Sequence, residues 1–170
     1  MAKLTGIGSA RSRSGGGSWF VPGRFRVRIE RVTSRETRNG EDMVAVEAEI
    51  LSSTADELPV GARASQVFVL SANKEKRDMT LTDLAEFMKV GLTALAINNG
   101  AANTTPETVI FNDDIAEEVC GLDNLLAGIV LDVVAFNKLT RAGGDFTRVT
   151  WELPSVHAAT ANNAQAELPF

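Results

Sequence analysis

Arg24, Arg26, Arg28 and Arg31 fall at near-alternate positions in one extended-looking run. Guanidinium groups at that spacing suit the gripping of successive phosphates in a polyanion. Arg35 and Arg38 carry the run on to Asn39-Gly40. Two more basic groups follow, Lys74, Lys76 and Arg77, then Lys138, Arg141 and Arg148. Trp19, Phe20 and Trp151 supply flat rings on which bases can stack. Cations for phosphates and rings for bases are the two ingredients of sequence-independent binding to a single strand. Each also has a plainer reading: the arginines as an ordinary solvated sheet face, the rings as closure of a core.

The charge distribution supports the first reading. Residues 1–38 hold nine Lys/Arg against two Glu, whereas residues 39–170 hold eight against twenty Asp/Glu. The chain is acidic overall, at −5. The local field at a groove governs contact with a polyanion, and acidity elsewhere limits nonspecific adhesion.

Catalytic chemistry has little to stand on. His157 is the only histidine and has no triad-like neighbours. Gly15-Gly16-Gly17 is followed by no Lys-Ser/Thr and so is not a phosphate loop. Asp113, Asp114, Glu117 and Glu118 lack calcium-loop spacing and read as the solvated acidic start of a helix, which also suits its dipole. Cys120, the only cysteine, reads as a small buried hydrophobe. No enzyme activity, metal or cofactor is expected.

The elements that would position the cations follow from periodicity. Phe25, Val27 and Ile29 alternate with Arg26, Arg28 and Glu30, the period of a strand with one buried face. Arg24, Arg26 and Arg28 are then expected together on the side opposite the core. Asn39-Gly40 predicts a hairpin into a second strand carrying Val44, Val46, Ala48 and Ile50 inward. Ser65–Leu70 reads as a third strand. Thr80 and Asp83 have capping-box spacing ahead of Leu84, Phe87, Met88, Leu92 and Leu95, which predicts a helix over about 81–97. A short helix is expected at 113–120. Ile129–Phe136 and a strand holding Phe146, Arg148 and Thr150 on one face form a last pair around Arg141–Gly144.

The expected class is mainly β: a small OB-like barrel of five or six antiparallel strands with an inserted α-helix. Residues 1–18 read as a flexible basic arm, 19–153 as the OB-like domain and 154–170 as a C-terminal tail. The opening residues show no apolar core of signal-peptide length, and no stretch reaches the roughly 18 apolar residues of a membrane span. No membrane association is expected.

Val21-Pro22-Gly23-Arg24-Phe25-Arg26-Val27 before a hairpin, a helical middle, Gly121-Leu122 before a strand, and Lys138 to Thr147 together resemble phage single-stranded DNA-binding proteins of OB fold. The final Glu167-Leu168-Pro169-Phe170 is similar to the acidic, Pro-Phe-terminated tip of bacterial single-stranded DNA-binding proteins. Residues 154–166 contain no carboxylate, unlike the acidic tail of that family. The resemblance implies single-stranded DNA binding in phage replication or recombination, in the cytoplasm of the host cell. It also implies recruitment of replication or recombination proteins through Pro169 and Phe170. The alternative is a structural component of a phage virion or other large assembly, in which a basic arm against an acidic body promotes self-association.

Overall fold

Apolar residues on alternate positions draw the chain into long strands, and a single helical stretch interrupts them. The computed structural model describes residues 18–155. Its elements are β1 (Ser18–Trp19), β2 (Gly23–Glu36), β3 (Asp42–Ser53), β4 (Arg63–Leu70), α1 (Lys74–Asn98), α2 (Asp113–Val119), β5 (Val130–Leu139) and β6 (Asp145–Glu152). The strands form one sheet in the order β1-β4-β3-β2-β5-β6. The sheet is a curled half-barrel. Two features of the expected barrel are corrected. The short β1 pairs with β4 in parallel, so the sheet is mixed. The circle is also not closed: no ladder joins β4 to β6 among the described residues.

β2 is the spine of the sheet. Phe25, Val27 and Ile29 point inward and are almost fully buried. Strict alternation would next turn Arg31 inward. The β2–β3 register instead jumps from Ile29–Ala48 to Arg31–Glu47, with Glu30 as the extra residue. This bulge resets the alternation. Val32 returns to the core and Arg31 stays outside. Beyond the last β2–β5 pair, Arg28–Val130, Asn124 of the loop before β5 takes over: it adopts a left-handed φ of 45° and its Oδ1 accepts the Val32 N–H at 2.7 Å.

α1 starts earlier than the Thr80 signal predicts. Asn73 is the N-cap, its Oδ1 accepting the Lys76 N–H at 3.1 Å. The straight-chain residues Lys74 to Arg77 then propagate the helix. Thr80 lies inside it, its hydroxyl donating to the Lys76 carbonyl at 2.9 Å. Leu84, Phe87, Met88 and Leu92 form the buried stripe, as their spacing requires. Phe87 lies between Phe68 and Trp151, with ring centroids 6.1 and 4.8 Å away. Phe20 continues the cluster, 5.7 Å from Trp151 and 5.5 Å from Phe25. Gly91 lets the loop before β5 press close, for a Cβ there would stand 2.6 Å from Leu126 Cδ1.

Candidate nucleic-acid interface

The arginine run of β2 lies beside carboxylates of its neighbouring strands. Arg28 Nη1 meets Glu49 Oε2 at 3.0 Å, and Arg31 Nη2 meets Glu47 Oε2 at 2.7 Å. Both pairs are cross-strand partners on the outer face. Arg63 Nε meets Glu30 Oε2 at 3.1 Å on the same side of the sheet. The β2–β3–β4 face thus carries a charge ladder of alternating sign, in which Arg28, Arg31 and Arg63 each have a local acid. That is a correction to a continuous cationic ridge.

Arg26 departs furthest from expectation. Its side chain is only 8% exposed and grips Asp132 of β5 with two bonds, Nε to Oδ1 at 2.7 Å and Nη2 to Oδ2 at 3.1 Å. Nη2 also donates to the Ser155 carbonyl at 3.1 Å, while the Ser155 N–H donates to Asp132 Oδ2 at 2.9 Å. Arg26 is a clasp between β2, β5 and the segment after β6, and it is closed to a phosphate.

Two expected stacking rings are likewise withdrawn from solvent. Phe20 and Trp151 are 4% and 7% exposed, within the aromatic cluster around Phe87. The Trp151 indole N–H donates to Gln66 Oε1, satisfying its polar atom across the gap between β6 and β4. Trp19 on β1 keeps an exposed ring, at 47%. It borders a cleft of about 310 Å³ with Phe20, Ser65 to Val67, Thr147 and Val149. Lys74, Lys76 and Arg77 stand at the N-terminus of α1, with Glu75 the only acid in the first turn. Arg77 Nη1 donates to the Leu70 carbonyl at 3.4 Å. Pro169, Phe170 and His157 lie outside the described residues.

The β5–β6 hairpin brings cations and rings together. Pairing of β5 with β2 ends at Gly23–Ala135, whereas pairing with β6 runs on to Leu139–Asp145. Residues 136–139 of β5 therefore extend past the sheet with β6 alone beside them, as a two-stranded arm. In this arm Phe136 lies opposite Arg148, and Lys138 lies opposite Phe146. The alternation of strands places all four on one face. Phe136 and Phe146 are 43% and 44% exposed, and Lys138 is exposed. Arg141 is exposed in the turn at the tip. That turn is tied internally, the Thr140 hydroxyl accepting the Gly144 N–H at 3.0 Å. Phe136 and Phe146 are the stacking candidates that sequence reasoning missed. Their signal was present in the odd–even pattern, but a β-strand phenylalanine ordinarily reads as core.

Arg24, Arg35 and Arg38 are exposed, the last two at and beyond the tip of the β2–β3 hairpin. No group of three or more His, Cys, Asp or Glu able to hold a metal forms among the described residues, so the acids of α2 do not converge with others. Cys120 is half-buried, and burial pushes its thiol upward, away from the reactive thiolate. No helix among the described residues is long and apolar enough to cross a membrane. The chain matches no family model and no curated protein.

Proposed function

We propose that this protein binds single-stranded DNA without sequence preference, in phage replication or recombination, and that the outer face of the β5–β6 arm is its contact surface. One observation carries the reading: exposed Phe136 and Phe146 alternate with Lys138 and Arg148 on a ribbon that projects from the sheet. Bases stack on the rings and phosphates lie on the cations between them. The arrangement of the strands supports the same reading. Counting the five long strands, the helix follows the third, and the half-barrel is partly open. In an OB-type barrel the connections between strands one and two and between four and five flank the bound oligonucleotide. Here those connections carry Arg38 and Arg141, with Arg35 and Lys138 beside them. The C-terminal Pro169 and Phe170 would recruit replication or recombination proteins.

The test is fluorescence anisotropy with a labelled oligothymidine across a salt series. The five cations Arg35, Arg38, Lys138, Arg141 and Arg148 in contact give a log–log salt slope of about −3.5. Phe136→Ala and Phe146→Ala each weaken binding by at least about fivefold, the low end of one lost base stack. An anisotropy unchanged by protein at low salt overturns the proposal.

The arm also favours a second reading, as a component of a virion or similar assembly. A two-stranded ribbon is marginal by itself, and Leu139 near its tip is 72% exposed. A neighbouring subunit seated on the arm would cover that side chain. Sedimentation separates the readings: an assembly protein associates without DNA, and Leu139→Lys disperses it.

A further inference from the structure

The arm's one described side-chain tie to the body is an ion pair. Arg148 Nη2 donates to Asp83 Oδ1 of α1 at 3.1 Å. Other described side-chain hydrogen bonds of the arm stay within it, such as the Thr147 hydroxyl to Asn137 Oδ1 at 3.3 Å. Arg148 is also the cation set opposite Phe136 on the proposed contact face. The guanidinium therefore has two competing uses, and Asp83 occupies one of the N–H groups that a phosphate oxygen would use. Both side chains are about a third exposed, at 35% and 38%. An ion pair that open to water is weak, so a phosphate can displace the carboxylate.

Building on the DNA-binding reading, we propose that Asp83 is an intramolecular phosphate mimic: it holds Arg148 in the free protein and yields it to the DNA backbone on binding. The exchange moves no covalent bond, and the salt bridge simply changes partner. Asp83 then sets affinity without touching a base. It penalises weak encounters, because each must first displace the carboxylate.

The experiment compares the full chain with Asp83→Asn, Arg148→Gln and the double variant in the oligothymidine titration. Removal of the mimic tightens binding by about two- to fivefold at low salt, the range of one exposed ion pair. Arg148→Gln makes the salt slope shallower by about 0.7, the share of one phosphate contact to a single strand. In the Arg148→Gln background the Asp83→Asn change has no further effect. Circular dichroism confirms that each variant is folded. Unchanged or weaker binding by Asp83→Asn overturns the mimic, and so does an equal gain in the Arg148→Gln background. If the parent chain binds no oligonucleotide but Asp83→Asn does, the carboxylate does not yield to DNA and the exchange is overturned. If neither binds, both readings fall.

Discussion

Substitution of Arg26 by Gln separates a structural clasp from a DNA contact. Asp132 would lose both guanidinium bonds while its side chain remains 15% exposed, and Ser155 would lose a donor to its carbonyl. Leaving one member of a buried pair uncompensated costs about 3–5 kcal/mol. The lower end applies, because the Ser155 N–H still donates to Asp132 Oδ2. A loss of about 3 kcal/mol lowers Tm by roughly 6–12 °C in a chain of this size. The apolar double variant Arg26→Met with Asp132→Leu removes both charges together. It is expected to recover most of the loss, since well-packed apolar replacements of buried ion pairs are often neutral. Calorimetry or thermal circular dichroism measures both. The oligothymidine salt slope of Arg26→Gln, taken well below its Tm, stays that of the parent. A variant melting within about 2 °C of the parent and binding with a slope shallower by about 0.7 would refute the clasp and restore Arg26 to the interface.

Arg28→Gln and Arg31→Gln, whose partners Glu49 and Glu47 are partly exposed, change stability by less than about 1 kcal/mol in urea titrations. Trp151→Ala destabilises by about 3–5 kcal/mol in the same assay, as expected for a core ring and not for an exposed stacking platform. Lys138→Gln with Arg141→Gln makes the salt slope shallower by about 1.4, the share of two phosphate contacts, with Tm unchanged. Cys120 reacts with iodoacetamide more slowly in the folded chain than in urea. Because its folded pKa lies above the unfolded one, its contribution to stability is complete below the ordinary thiol value and is lost as pH rises toward the raised one.

Strands β2 to β6 and the apolar stripe of α1 were legible from periodicity, because a buried face imposes its repeat on the chain wherever it occurs. The α1 start differs from its sequence signal, since Thr80 and Asp83 have the spacing of a cap but Asn73 fills that role about two turns earlier. β1 escaped notice because two residues cannot show a period. The missed stacking rings show the same limit from the other side. Phe136 and Phe146 have the residue type of core residues, but Phe136 falls out of phase with the buried Leu131, Val133 and Ala135, and past Gly23 no β2 residue lies beside it.

By itself the amino-acid sequence determined which residues alternate, where the hairpins turn and which segment winds into a helix. These depend on neighbours within a few positions of each other. Which charges remain available was decided by the tertiary structure. Arg26 and Asp132 are 106 positions apart, and Arg148 and Asp83 are 65 apart, yet each pair meets within 3.1 Å. A guanidinium's availability depends on the acid that the sheet places beside it, and that acid comes from a distant strand or helix.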